Sequence, residues 1–154
     1  LKLLKSDNLL FAKAWLETVA RNYEKSLETL NSIGLNIYIK QTEFTPIETF
    51  YGINFMHLGQ MDKAIEYFNK SKEILENAIE KTPKDIRIHL EYAIVLAYLD
   101  LRKEALKTSK FATSMISGSS SFSSCLAFLS CFLSFLASFF DCLLFFPLGL
   151  NSPK

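Results

Sequence analysis

The side chains that could perform catalysis or hold a metal ion are few in this chain, and they lie far apart in sequence. His57 and His89 are its only histidines. His57 has no Cys, Asp or Glu at metal-ligand spacing on the helix predicted around it. All three cysteines, Cys125, Cys131 and Cys142, lie towards the C-terminus. The sequence therefore predicts no metal site, and we expect His89 to be partly buried where two helices meet and His57 to lie near free carbonyls at a helix end.

Other arrangements that carry chemistry are also missing from the pattern. No Gly-rich phosphate loop, no Ser/His/Asp set and no inward-facing carboxylate pair stands out. The glutamates at positions 66, 73, 76 and 80 alternate with lysines at 63, 70, 72 and 81, as on a solvated helix face. We therefore expect no catalytic residue, no cofactor site and no enzymatic activity.

Composition changes abruptly near residue 116. Charged residues recur every few positions up to Ile116, whereas from Ser117 to Lys154 only Asp141 and Lys154 are charged. This change predicts a domain over residues 1–116 and a low-complexity apolar tail, rich in Ser, Phe, Leu and Cys, over 117–154. The domain has no cysteine framework, no basic stripe for nucleic acid and no secretory signal, which favours a cytoplasmic location. Because the chain does not begin with Met, we expect it to be a fragment of a larger protein.

Helical signals run through the first 116 residues. Thr45, Pro46 and Glu48 form a capping-box pattern, which predicts a helix start, and Gly59 suits the left-handed residue that follows a helix. Apolar residues then recur at helical spacing up to Thr82, which predicts a helix about 20 residues and roughly 30 Å long. Asp85 is a predicted N-cap for the next helix.

The sequence predicts an all-α fold of about three antiparallel helical hairpins. Their ranges are about 7–33, 46–81 and 86–115. Residues 35–44 are interpreted as a connecting loop, in which Ile37, Tyr38 and Ile39 pack onto the helices. Three stacked hairpins are about the minimum that can bury a continuous core.

Corresponding positions in these hairpins carry similar residues. Small residues stand where two helix backbones would cross, and aromatic or large apolar residues stand about one turn away. The shared positions are Tyr51, Gly52, Phe55, Gly59, Ala64 and Phe68 in the second hairpin, and Tyr92, Ala93, Leu96 and Ala105 in the third. In the first hairpin Ala14 corresponds to Gly52 and Ser26 to Ala64. We therefore predict an internal repeat.

This spacing resembles the tetratricopeptide repeat, whose pattern is a large residue, x2, Leu, Gly, x2, Tyr, then Ala, x3, Phe. The resemblance implies an α-solenoid that binds proteins or peptides. The segment RIHLEYAIVLAYLDLRKEAL and the long second helix are similar, more weakly, to C-terminal tetratricopeptide arrays of bacterial cyclase-like and TolB-like signalling proteins. A protein-interaction scaffold within a signalling or regulatory protein is therefore expected.

The resemblance also implies where a partner would bind, on the first helix of each hairpin. The family's groove positions are here Thr49, Ile53, Met56, Arg87, Leu90, Ile94 and Ala97. Because the Lys and Asn residues that hold a terminal carboxylate are absent, the groove favours an amphipathic helix or an apolar segment, from another protein or from another domain of the same chain. In the alternative interpretation these residues pack against the neighbouring hairpin.

The tail permits two interpretations. Residues 122–140 carry no charge over a length that can cross a bilayer, so 122–148 is a candidate membrane helix, with Lys103, Lys107 and Lys110 before it favouring a cytoplasmic helical domain. Alternatively, a Phe/Leu/Ser/Cys-rich tail is what an opposite-strand reading of a charged helical repeat would produce, and the tail is then non-native. The first interpretation implies an alternative function, that of a membrane-anchored assembly or trafficking factor.

Overall fold

The structure is a computed structural model that describes residues 7–117, with side chains up to Met115. It contains six helices: α1 Asp7–Val19, α2 Tyr23–Leu30, α3 Ile47–His57, α4 Met61–Lys81, α5 Ile86–Tyr98 and α6 Arg102–Ser117. Two short strands, β1 Ile37–Ile39 and β2 Phe44–Pro46, lie between α2 and α3. The described part is thus mostly helical, as predicted. The rest of the predicted tail and its candidate membrane segment 122–148 lie outside the described residues.

The turns inside the three helical pairs have the same backbone geometry. One residue in each turn is left-handed: Arg21, Gly59 and Asp100 have φ angles of 61°, 74° and 59°. The following residue donates its N–H to the carbonyl five positions back, over 2.8, 2.9 and 2.9 Å: Asn22 to Glu17, Gln60 to Phe55, and Leu101 to Leu96. These bonds satisfy carbonyls that a helix end leaves free. The three matching turns are compatible with a helical repeat.

The central helices follow the sequence pattern closely. Gly59 ends the first helix of the pair in the left-handed conformation, as predicted. Helix α4 has 21 residues, which agrees with the predicted long helix. Asp85 caps α5, since its side chain accepts a hydrogen bond of 3.1 Å from the backbone N–H of Arg87.

The segment predicted as a loop between α2 and α3 forms a small antiparallel sheet. Tyr38 in β1 lies opposite Thr45 in β2. Tyr38 is buried, and its ring centre lies 4.6 Å from that of Phe11 in α1, whereas Ile39 is exposed. The loop interpretation was therefore wrong, although the expected packing of this segment onto the helices is found at Tyr38.

The capping box predicted at the start of α3 was also wrong. Thr45 belongs to β2, and Pro46 occupies the N-cap position without a side-chain hydrogen bond to the helix. Atom Oε2 of Glu48 is buried and has no hydrogen-bond partner within residues 7–115, and burial raises the pKa of this carboxyl. The strand pairing therefore replaces the side-chain cap as the feature that sets the entry to α3.

Helices α3 and α4 cross closely at Gly52. A Cβ atom at this position would lie 2.5 Å from Cε1 of Phe68, which is far below a normal contact. Ala64 and Phe68 are both fully buried in the same core cluster, together with Leu75 of α4 and Ile88 and Val95 of α5. The small residues at this crossing are where the sequence predicted them.

Candidate functional site

One face of α5 carries partly exposed residues of the groove that the sequence predicts. Helix α5 buries Ile88, His89, Ala93, Val95 and Leu96. The remaining face contains four groove residues, each partly exposed: Arg87, Leu90, Ile94 and Ala97. Since these positions follow at spacings of three and four residues, they form one stripe along the helix. We call this stripe the α5 face.

The groove residues on α3 are placed differently. Thr49 is buried, and its Oγ1 lies 2.8 Å from Oγ of Ser71 in α4. Ile53 is buried in the core beside Ile88 and Val95. Only Met56 remains half-exposed. Ile53 therefore packs against the neighbouring hairpin, as the alternative interpretation describes, whereas Thr49 packs against α4 within its own hairpin. Met56 and the α5 face keep partly exposed surface.

Arg87, at the start of the α5 face, is held on two sides. Its Nη2 and Nε donate to the two carboxylate oxygens of Asp85, over 2.6 and 3.0 Å, and its Nη1 donates to the backbone carbonyl of Lys40. The hydrogen bond with Arg87 lowers the pKa of Asp85 and raises that of Arg87. The guanidinium thus joins α5 to the β-hairpin and has a fixed orientation beside the apolar residues.

Glu91 lies one turn beyond Arg87 and is partly exposed, but its Oε1 atom is buried. Its Oε1 has no hydrogen-bond partner among the described residues. Burial raises the pKa of Glu91 to about 7, Glu43 adds to this shift, and the nearby hydroxyls of Thr49 and Thr45 partly offset it. The sequence analysis missed this residue. Its only signal was a single acidic residue within the otherwise apolar stretch of α5.

The second side of α5 is tied to α4 through Tyr92. The hydroxyl of Tyr92 donates to Oε1 of Glu76 over 2.7 Å. Nζ of Lys72 lies 2.8 Å from the same carboxylate oxygen. Partial burial and this carboxylate raise the pKa of Tyr92. The α5 face is consequently presented by a helix that is anchored to both the β-hairpin and α4.

The predicted repeat signature is brought together mainly in the second helical pair. Tyr51 and Phe55 of α3 both stack on Tyr67 of α4, with ring centres 5.0 and 5.3 Å apart. Phe68 stacks on Tyr98 of α5 at 4.5 Å. In the third pair Ala93 and Leu96 are buried, and Ala105 is half-buried. The signature residues thus form packing contacts within and between the pairs.

The two histidines do not share a site. His89 is buried, with its Nε2 2.8 Å from the carbonyl oxygen of Pro83, which agrees with the expected burial. His57 stacks on the ring of Tyr23 at 4.9 Å instead of contacting the helix-end carbonyls. Partial burial of the ring and the charge of Arg21 lower the pKa of His57. The residue as a whole is exposed. Within residues 7–117, no group of three His, Cys, Asp or Glu side chains could hold a metal ion.

Two further findings concern the chain as a whole. Among the described helices, none combines the length and apolar character needed to cross a bilayer. No protein-family model, curated protein or solved structure matches the chain. What is shown is therefore a helical architecture in packed hairpin-like contacts, with an accessible apolar stripe on α5.

Proposed function

We propose that residues 7–117 form a tetratricopeptide-type solenoid that binds a protein or peptide through the α5 face. Two observations support the repeat assignment. The turns at Arg21, Gly59 and Asp100 share one hydrogen-bond pattern, and Gly52 meets Phe68 at a close crossing. Repeat scaffolds of this kind present helix faces to partners and need no reacting groups of their own.

The observation that carries the binding proposal is the chemistry of the α5 face. Leu90, Ile94 and Ala97 offer partly exposed apolar surface, while Arg87 is held by Asp85 and the carbonyl of Lys40. A fixed cation beside an apolar stripe suits an amphipathic helix that carries an acidic residue at one end of its apolar side. In a larger signalling or regulatory protein, the partner helix could belong to another domain of the same chain.

A peptide selection tests this proposal directly. A displayed library of random peptides is selected on the immobilised full chain, and enriched peptides are measured by fluorescence anisotropy. We expect a consensus with apolar residues at i, i+3 and i+4 and an acidic residue nearby. The double variant Leu90→Gln/Ile94→Gln should weaken binding at least tenfold, because it removes most of the apolar area of the stripe.

A matched control distinguishes loss of the face from general damage. Leu16 on α1 is 67% exposed, so Leu16→Gln also removes an exposed leucine but leaves α5 intact. Circular dichroism of each variant checks that the helical content is retained. Equal weakening by Leu16→Gln, or unchanged binding by the α5 variant with its helices intact, would show that the partner surface lies elsewhere.

A further inference from the structure

Helix α6 differs from the rest of the described chain in charge. It contains four basic residues, Arg102, Lys103, Lys107 and Lys110, and one acidic residue, Glu104. In residues 7–100 the order is reversed, since Asp and Glu outnumber Lys and Arg. The near-zero net charge of the sequence therefore conceals a polarised distribution, with the excess positive charge on α6.

The lysines of α6 have no acidic partners. Lys103, Lys107 and Lys110 follow at intervals of four and three residues, so like charges lie next to one another on one exposed side. No ion pair involves them among the described residues. Lysines of α1 and α4 are paired at the same spacing, as Lys70 is with Glu66 over 2.6 Å. The positive charge of Lys103, Lys107 and Lys110 is thus left without an ion-pair partner among the described residues, whereas Arg102 is paired with Asp100 over 2.6 Å.

An apolar side chain lies within this basic surface. Leu106 is 57% exposed and follows Arg102 by four residues, with Lys110 four residues further on. Phe111, at the edge of the surface, contacts the ring of His89 and is 50% exposed. Together these side chains give α6 the composition of a helix that lies at a lipid–water boundary.

We propose that the exposed basic side of α6 docks on an anionic lipid surface, with Leu106 entering the headgroup layer. Two observations favour lipid over other polyanions. The sequence that follows α6 has no charged residue before Asp141, and an exposed leucine among cations contributes to binding only where apolar material is accessible. Residues 7–100 contain more acidic than basic residues, and this charge opposes the binding of a nucleic acid strand along the rest of the fold.

The test measures partition of the full chain into vesicles by flotation. Vesicles of phosphatidylcholine alone are compared with vesicles that contain about one third phosphatidylglycerol. The triple variant Lys103→Gln/Lys107→Gln/Lys110→Gln should reduce partition into the anionic vesicles by about a hundredfold, since each lysine near such a surface contributes roughly fivefold at low salt. Partition into the neutral vesicles should not change. Raising the salt concentration should produce the same loss in the unmodified chain.

A matched variant removes the same charge elsewhere. Lys25, Lys81 and Lys84 are exposed and lie outside α6, so Lys25→Gln/Lys81→Gln/Lys84→Gln should leave anionic partition nearly unchanged. Equal losses from the two triple variants would overturn the proposal. So would tighter, α6-dependent binding to single-stranded RNA or to an acidic peptide than to the anionic vesicles.

A second measurement applies if the full chain binds both kinds of vesicle equally well. Backbone hydrogen exchange of residues 102–115 is then compared on the two surfaces. We expect slower exchange on the anionic vesicles, with no such difference in the α6 triple variant. Identical exchange on neutral and anionic vesicles would overturn the proposal.

Discussion

Glu91 is an acidic residue that the fold makes harder to ionise. Its ordinary pKa of 4.5 is raised to about 7, mainly by burial. Protonation therefore favours the folded state. This contribution is fully present below about pH 4.5, declines as the pH rises towards 7, and is lost above that value. At pH 8 the ionised carboxyl lowers the free energy of unfolding by up to about 3 kcal/mol relative to the protonated form.

Replacement of this carboxyl should remove that pH dependence. We expect Glu91→Gln to raise the melting temperature at pH 8 and to leave it nearly unchanged at pH 4.5, because glutamine cannot ionise in the buried site. Thermal unfolding of variant and unmodified chain across pH 4.5 to 8 measures the difference. The control is Glu73→Gln, at an exposed position of α4. Its melting temperature should not differ from that of the unmodified chain in a pH-dependent way. A lower melting temperature for Glu91→Gln at pH 8 would contradict the assignment.

Gly52 is a residue whose missing side chain is a packing requirement. In Gly52→Ala the new methyl group would meet the ring of Phe68 at 2.5 to 2.9 Å, and Phe68 is itself held against Tyr98. We expect a loss of about 1 to 3 kcal/mol in the free energy of unfolding by urea, despite the better helix propensity of alanine. Gly34→Ala, where the nearest atom is 3.7 Å away, should change little. Equal stabilities for the two variants would place the helix crossing elsewhere.

At the scale of elements, the three turns differ in how well their residues suit a shared geometry. Gly59 adopts the left-handed conformation without penalty, while Arg21 and Asp100 carry side chains in it. Asp100 is the more tolerant of the two, because short polar side chains enter this region more readily. The first turn is therefore the one with the most backbone strain.

This difference can be measured by exchanging the turn residues. Arg21→Gly should stabilise the chain by about 0.5 to 1 kcal/mol, and Gly59→Ala should destabilise it by about 1 kcal/mol. No atom lies within 4 Å of a Cβ placed on Gly59, so this loss would report backbone conformation alone. Urea unfolding provides both values. If Arg21→Gly lowers the free energy of unfolding, the arginine side chain stabilises the fold by more than its backbone strain destabilises it.

The elements that sequence reasoning found are those with local signals. Gly59 and Asp85 mark helix ends through their own backbone preferences, and the apolar spacing of α4 persists over its whole length. The β-hairpin was missed because its strands have three residues each and are defined by pairing with one another. Thr45 also suits a helix cap, so the same residue supported the wrong assignment.

The candidate site was predictable only in part, for a related reason. The repeat pattern predicted helix positions for a groove, but it did not specify what covers them. Thr49 is covered because Ser71 lies opposite on α4, and Ile53 because Ile88 packs beside it. Glu91 was missed because its surroundings include Thr45 of the unexpected strand. Exposure is a property of the assembled elements and not of spacing within one of them.

At the scale of the whole described molecule, the first and second helical pairs meet at a buried polar contact. Asn54, on α3, is fully buried. It accepts a hydrogen bond of 3.1 Å from Thr18 and donates one of 2.8 Å to the carbonyl of Phe50. Ser26 lies 2.9 Å from Thr18 and bonds the carbonyl of Ala14. The first helical pair is therefore joined to the second by a satisfied polar group as well as by apolar packing.

Removal of this contact should affect cooperativity and stability together. We expect Asn54→Ala to lower the free energy of unfolding by about 2 to 3 kcal/mol, because buried polar partners lose their bond. The first pair should then unfold at lower urea concentration than the rest, which Trp15 fluorescence and circular dichroism would report as separate transitions. The control Asn69→Ala removes the exposed amide that bonds the carbonyl of Ile65 and should cost less than about 0.5 kcal/mol. Coincident transitions in Asn54→Ala would show that apolar packing alone couples the pairs.

The matching turns also bear on how quickly the chain reaches its fold. Each turn closes between residues five positions apart, so its formation requires little loss of chain entropy and can occur within microseconds. Three such starting points lie along one chain, and none depends on another. Folding can thus begin in any of the helical pairs, with the pair around Gly59 favoured because its turn is unstrained. The contacts across Asn54 then form late, and variants there should accelerate unfolding more than they slow folding.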